Sequence, residues 1–152
     1  CLDHWYVVEN ELGNVVAGLS SWIEGMNGTS SDMLKAQMLN FFLKQEWESS
    51  KEKLEVLASI TIPRKNGYIQ LEHLYTHADF RGQGHMKSLI LHVLESHDSD
   101  KAEIQVLESN KNAVSLYEYM GFSVNERQCN EAVERLSLLS GCCKLQLIKN
   151  HG

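Results

Sequence analysis

The sequence predicts a single domain of mixed α and β structure (α/β, mixed α+β) in which a central sheet is flanked by helices. Through the second half of the chain the periodicity changes in the order strand, helix, strand, helix, strand, which is the pattern of a helix-covered sheet. The chain has 152 residues, enough for one hydrophobic core. Its composition, 43% apolar and 22% charged, is that of an ordinary globular protein. We therefore expect one domain over residues 1–152.

The first half of the chain predicts a β-hairpin, a helical insert and then a break. The hairpin rests on two apolar-rich runs that flank Glu11-Leu-Gly-Asn14. The insert rests on the N-cap residues Thr29-Ser-Ser-Asp32 and the helical spacing of the apolar residues that follow. The segments are the hairpin strands at 4–9 and 14–23, the insert at about 29–60 with an ambiguous second part from 49, and the break from Pro63 to Gly67.

The second half predicts alternating strands and helices. The helices have apolar residues on one face, and the strands are short apolar runs bounded by turn residues. In order, the segments are a central strand at 68–76, a helix from Arg81 to about His97, a strand at 102–107, a helix at 110–120, a strand at 122–129, a helical turn at 131–139 and a strand at 142–148.

Charge, hydropathy and cysteine usage exclude several functional classes. The net charge of -6 argues against a surface for nucleic-acid phosphates and favours a cationic partner such as an amine. No apolar run approaches the roughly 20 residues that span a bilayer, and no signal-peptide pattern opens the chain. The cysteines (Cys1, Cys129, Cys142 and Cys143) lack metal-ligand spacing, so we expect them to be buried and reduced in a cytoplasmic protein without a metal.

A glycine-rich junction between a strand and a helix is the first candidate site. It reads Arg81-Gly-Gln-Gly84, and the apolar stripe of the helix begins at Met86. Glycines in a first helical turn leave backbone N–H groups uncovered, and the helix dipole adds positive potential, so the junction suits a phosphate-type anion. The dinucleotide-binding pattern lacks its third glycine here, and the P-loop pattern is absent. A glycine-eased turn without a ligand is the alternative.

A second segment, one strand further on, reads Asn110-Lys-Asn-Ala-Val-Ser-Leu-Tyr-Glu-Tyr-Met-Gly-Phe122. Together the two segments resemble the GNAT superfamily of N-acetyltransferases, whose patterns are Gln/Arg-x-x-Gly-x-Gly/Ala and Asn-x-x-Ala-x-x-Leu-Tyr-x-x-x-Gly-Phe. Met86 departs from the last position of the first pattern. The resemblance covers about residues 68–125 and implies a GNAT-like fold with a V-shaped splay after the central strand.

The resemblance implies that acetyl-coenzyme A is the acyl-donor substrate. Its pyrophosphate would bind the glycine-rich loop, and its pantetheine would pair with the end of the central strand like an added strand. A backbone N–H within residues 74–76 would stabilise the oxyanion. The residues implied to bind the cofactor are Leu74, Tyr75, Thr76, Arg81, Gly82, Gln83, Gly84, His85, Met86, Asn110 and Tyr117.

Tyr117 and Glu72 are the catalytic residues that the resemblance implies. Helical spacing alone makes Tyr117 a core aromatic, whereas the resemblance places its hydroxyl where it can protonate the departing thiolate. Glu72 is the candidate base for the amine, and a salt-bridged or solvated strand glutamate is the alternative. His73 and His77 compete as bases. Strict strand alternation, however, puts Glu72 and Leu74 on one face and His73 on the other.

Two functions follow from these residues. The first is an acetyl-CoA-dependent N-acetyltransferase, in which a primary amine of a small molecule or peptide attacks directly in a ternary complex. The second is a coenzyme A-binding module, or a subunit of a larger assembly, with weak catalysis. The family order usually begins with a strand and two helices that wall the acceptor groove, so we expect a fragment, the insert or a partner chain to account for that wall. The sequence leaves open whether two copies of the chain form a homodimer.

Overall fold

The computed structural model describes residues 4–26, 32, 47–97, 99–136 and 141–150. The predicted hairpin, central strand and later elements are all present, whereas the first helix of the predicted insert lies outside the described residues. In chain order the elements are β1 (Trp5–Glu9), β2 (Val15–Ile23), α1 (Trp47–Ala58), β3 (Ile69–Thr76), a 3-10 turn (Ala78–Phe80), α2 (His85–Ser96), β4 (Lys101–Leu107), α3 (Lys111–Tyr119), β5 (Ser123–Cys129), α4 (Ala132–Leu136) and β6 (Cys143–Asn150).

The strands form one six-stranded sheet in the order β1-β2-β3-β4-β6-β5, which confirms the predicted mixed class. Among the strands that the structure describes, only β3 and β4 are parallel neighbours, and α2 is the crossover that a parallel connection requires. The core lies between the sheet and one stripe each of α2 and α3, with Ile90, Val93 and Tyr117 among its members. None of the helices in the described ranges is long and apolar enough to cross a lipid bilayer.

The parallel pair β3–β4 is joined over a short stretch only. Its register runs from Ile69 opposite Ala102 to Leu71 opposite Ile104. Both strands continue past these pairs, β3 to Thr76 and β4 to Leu107, without further pairing to each other in the described structure. The strands therefore diverge into a wedge, which is the V-shaped splay that the sequence predicts.

A β-bulge interrupts β3 where the wedge begins. Between two paired positions β2 contributes one residue, Leu19, where β3 contributes two, His73 and Leu74. His73 has a φ of 53°, the left-handed region that residues with a side chain rarely occupy. The extra residue ends the simple alternation of side chains along this strand.

The bulge corrects the predicted faces of β3. Leu74 packs against the core on the helix side, not on the face of Glu72. The ring of His73 stacks on Trp5, with centroids 5.5 Å apart. Trp5 points away from the helices, because its neighbour Tyr6 is the residue that contacts α2 through His92. His73 therefore lies on the same face as Glu72, and the prediction of opposite faces is wrong.

The face of the sheet away from α2 and α3 carries a buried polar layer centred on Glu103. Its side chain is fully buried. Its carboxylate accepts hydrogen bonds from the Lys65 backbone N–H (2.8 Å) and from the side-chain amides of Gln70 (3.2 Å), Gln105 (2.9 Å) and Gln146 (2.9 Å). Buried charges are tolerated when hydrogen bonds replace water. The layer fixes residues 60–65 against the sheet.

The start of α2 differs from the prediction by four residues, since the helix begins at His85 and not at Arg81. Gly82 and Gly84 have φ values of 75° and 83°. Glycine adopts this left-handed backbone conformation without steric cost, and the conformation cannot continue a right-handed helix. Residues 81–84 are therefore a loop in front of the helix.

The cysteines also differ from the prediction. Cys129 and Cys143 face each other across the β5–β6 ladder, with Cα atoms 4.1 Å apart, and form a disulfide. Cys142 is free, with its Sγ 3.7 Å from that of Cys143. Because successive residues of an extended chain point in opposite directions, only Cys143 of the adjacent pair can reach Cys129. Cys1 lies outside the described residues.

Candidate active site

The wedge between β3 and β4 opens into a cleft of about 740 Å³. Its walls are the end of β3, the loop and first turn of α2, and the inner side of α3. Every residue that the sequence predicts to bind the cofactor lines this cleft except Gln83, whose side-chain amide bonds the Asp79 carbonyl instead. Five further residues line it without having been predicted to bind the cofactor: Phe80, Lys87, Asn112, Ala113 and Leu116. The two motifs thus meet in one cavity.

One end of the cleft is suited to an anion. A Cβ atom on Gly82 or Gly84 would meet nothing within 4 Å, so the space in front of the helix is open. The first intrahelical bond runs from the Ser88 N–H to the Gly84 carbonyl (3.0 Å), and the N–H groups before it have no partner within the helix. Arg81 and Lys87 line the cleft, and none of the described lining residues is a carboxylate. The fixed charge of this cleft is positive.

The departure from the family pattern at Met86 is accommodated by the core. Its side chain packs against the buried cluster beneath α2. Its backbone lies in the first turn of the helix, where N–H groups face the cleft. A methionine at this position is therefore compatible with an anion bound at the helix N-terminus.

Tyr117 lies in the other part of the cleft, on α3. The helix is fixed at its start by Asn110, whose side-chain oxygen accepts a hydrogen bond from the Ala113 N–H (3.3 Å). The Tyr117 side chain is buried, with 5% exposure, and its ring meets Phe122 edge to face. Burial raises the pKa of Tyr117 to about 12. The phenol is therefore a hydrogen-bond donor throughout the neutral range.

Tyr117 gives the protein a specific pH dependence of stability. Because folding raises the pKa of Tyr117 from 10.0 to about 12, its contribution is complete below pH 10 and is lost as the pH rises towards 12. Between pH 8 and pH 11 the wild type should lose about 1 kcal/mol more unfolding free energy than Tyr117→Phe. Urea unfolding of both proteins at the two pH values measures this difference. Equal losses would contradict the raised pKa.

Glu72, the predicted base, does not line the cleft. It lies on the opposite face of the sheet with 8% exposure and forms an ion pair with the guanidinium of Arg64. Arg64 is buried as well and donates from Nη1 to Oε1 of Gln70 (2.7 Å). Burial lowers the pKa of Arg64, while the charge of Glu103 opposes that shift. The alternative of a salt-bridged strand glutamate thus describes the geometry of Glu72.

The sequence also matches a model of a known protein family. The family model described as an acetyltransferase (GNAT) domain matches residues 26–135, more than half of the chain. The chain belongs to the GNAT acetyltransferase family. No curated protein sequence matches it.

Solved structures show the same GNAT fold at low identity. An N-acetyltransferase from Staphylococcus aureus Mu50 is 23% identical with a TM-score of 0.62, covering 97% of this chain and 70% of that one. A GNAT-family acetyltransferase from Streptococcus agalactiae is 13% identical with a TM-score of 0.57, and the match covers 98% of this chain and 66% of that one. A protein described as a streptothricin acetyltransferase from Bacillus anthracis, in complex with acetyl coenzyme A, is 11% identical with a TM-score of 0.59. That match covers 97% of this chain and 61% of that one. The chain therefore spans about two thirds of the length of these GNAT structures.

Proposed function

We propose that this GNAT domain is an acetyl-CoA-dependent N-acetyltransferase, in which a primary amine of a small molecule or peptide attacks the thioester directly in a ternary complex. The observation that carries the proposal is the single cleft that joins an open glycine-rich helix N-terminus to the buried hydroxyl of Tyr117. The crystallised relative that holds acetyl coenzyme A supports the choice of donor. A cytoplasmic location stays a prediction from the sequence.

The pyrophosphate and pantetheine would be held mainly by backbone groups. Gly82, Gly84, His85 and Met86 line the open end of the cleft, and their backbone N–H groups would supply the anion site. Beyond Leu71 the edge of β3 towards β4 has no strand partner in the described structure, so residues 74–76 can pair with the pantetheine amides as with an added strand. A backbone N–H of the same stretch would stabilise the oxyanion of the tetrahedral intermediate.

Tyr117 would stabilise the leaving thiolate. A phenol with a pKa of about 12 is a much weaker acid than a thiol, whose ordinary pKa is about 8.5. Complete proton transfer to the thiolate is then uphill by about 5 kcal/mol. A hydrogen bond from the hydroxyl to the sulfur strengthens as negative charge develops there and needs no complete transfer. Hydrogen-bond donation by Tyr117 therefore contributes more to catalysis than its acidity.

The donor half of the proposal is tested by ligand-induced stabilisation. Acetyl-CoA at 100 times its dissociation constant should raise the unfolding free energy by about 2.7 kcal/mol. Thermal or urea unfolding with and without the ligand measures this, with acetate as the control for a simple anion effect. An unchanged stability would contradict coenzyme A binding altogether.

A coenzyme A-binding module with weak catalysis is the second candidate, and the ion pair between Glu72 and Arg64 favours it, because it occupies the predicted base. Release of free thiol from acetyl-CoA in the presence of a panel of primary amines distinguishes the two. Stabilisation without thiol release on any amine would support the binding module. Thiol release that depends on the amine would establish the transferase.

A further inference from the structure

The cofactor cleft and the acceptor side of the wedge lie on different faces of the sheet. The cleft is walled by α2 and α3, which pack on the same face. The gap that opens beyond Leu71 connects this face to the other one, because β3 and β4 are no longer paired there. An amine that approaches the thioester from the side away from the helices meets the bulged part of β3 first.

Two titratable side chains stand at this point, Glu72 and His73, and their surroundings differ. Glu72 is buried and ion-paired with Arg64. His73 is exposed to solvent and is held by two neighbouring strands. Its Nδ1 lies 2.8 Å from the hydroxyl of Ser20, and its ring stacks on Trp5 with an interplanar angle of 28°. These contacts fix the imidazole on the outer face, directly before the part of β3 that lines the cleft.

We propose that His73 is the general base that accepts the proton of the acceptor ammonium, an inference that rests on the proposed transferase function. The imidazole takes one proton from the ammonium, and the free amine forms the C–N bond with the thioester carbonyl carbon. The C–S bond then breaks, and the thiolate leaves with a hydrogen bond from Tyr117. The second nitrogen proton passes through solvent to the thiolate, and the imidazolium returns its own proton to solvent. The reaction releases one proton overall.

The environment of His73 allows this role. Its charged neighbours on this face include Glu72, the preceding residue of the strand, and Arg64, which pairs with Glu72. Trp5 of β1 and Ser20 of β2 are uncharged neighbours. A neutral imidazole has one ring nitrogen that can accept a proton, so the side chain has the chemistry of a base. The left-handed backbone of the bulge is what presents the ring on the acceptor side.

The test is the pH dependence of turnover in His73→Asn, with an amine from the panel at saturation. Asparagine tolerates the left-handed backbone and can still bond Ser20, but it cannot accept the proton. We expect turnover at pH 7 to fall at least tenfold, with acetyl-CoA affinity unchanged. The wild-type profile should rise through the imidazole range and level off. The variant should instead rise about tenfold per pH unit, following the free amine.

Two further variants make the result specific. His77→Asn tests the competing imidazole, which lies outside the cleft lining. Loss of the imidazole-dependent part of the profile in His77→Asn, with that part retained in His73→Asn, would overturn the proposal. If His73 is the base, the pH profile of Glu72→Gln should still rise and level off as that of the wild type does. Wild-type turnover and an unchanged profile in His73→Asn, with loss of activity in Glu72→Gln, would overturn the proposal in favour of Glu72. A wild type that binds acetyl-CoA but releases no thiol with any amine would overturn the transferase function itself, and with it the role of His73.

Discussion

Tyr117→Phe is expected to lower turnover about 10- to 100-fold, as for the loss of one hydrogen bond to a charged group, and to leave acetyl-CoA affinity within twofold. The substitution removes only the hydroxyl that would bond the leaving sulfur. The ring remains in its edge-to-face contact with Phe122, so the helix and the cleft wall are retained. Steady-state turnover with a saturating amine and calorimetric titration with acetyl-CoA measure the two quantities separately.

A matched control is available on the same helix. Tyr119 is 74% exposed, and its ring lies under the ammonium of Lys87. Tyr119→Phe keeps that cation–π contact and should leave turnover unchanged. If Tyr117→Phe also kept the wild-type turnover, the hydroxyl would have no part in the reaction and Tyr117 would be a core aromatic only.

Gly84→Asp is expected to weaken acetyl-CoA binding about a hundredfold, or about 2.7 kcal/mol. The new carboxylate would occupy the open space before α2, where a Cβ meets nothing within 4 Å. Its charge would repel the phosphates at the positive end of the helix. The fold should be retained, because aspartate tolerates a φ of 83° at a cost of about 1 kcal/mol and acidic residues suit a helix N-terminus.

Gly84→Asn separates the two causes. Asparagine has the same size and the same tolerance for the left-handed backbone, but no charge. Its affinity should lie between those of the wild type and Gly84→Asp, and the difference between the two variants measures the repulsion. Circular dichroism checks that each variant is folded before calorimetric titration. An affinity within twofold of the wild type for folded Gly84→Asp would mean that the cofactor binds elsewhere.

The sequence predicts the elements of this fold well wherever periodicity is local. The stripe of α2 and the spacing of Ala113, Leu116 and Tyr117 identify helices without knowledge of their neighbours. The sequence predicts the start of α2 four residues too early. The pattern shows where the apolar stripe begins, but it does not show that the backbone at Gly82 turns into a left-handed conformation. The two motifs located most of the cleft, and Lys87 was missed although it lies in the same first turn as Met86.

Features that depend on pairing between distant strands could not be predicted. The bulge at His73 has no glycine to indicate it, and it exists because β2 offers one residue fewer than β3 at that place. The partner of Glu72 is Arg64, which comes from a segment outside any regular element. The disulfide of Cys129 and Cys143 requires the register of β5 on β6, which a further irregularity near Val124 sets. Each of these depends on a long-range register that side-chain alternation alone does not contain.

The left-handed backbone of His73 has a consequence for engineering this protein. Glycine would adopt the same φ without steric cost, whereas a side chain there costs about 1 kcal/mol. His73→Gly would relieve this strain but would also lose the stacking on Trp5 and the contact with Ser20, so the two effects oppose each other in the melting temperature. A melting curve alone therefore does not report whether the imidazole is still present on the acceptor face, and libraries for a more robust protein should hold residue 73 fixed and score activity alongside melting temperature.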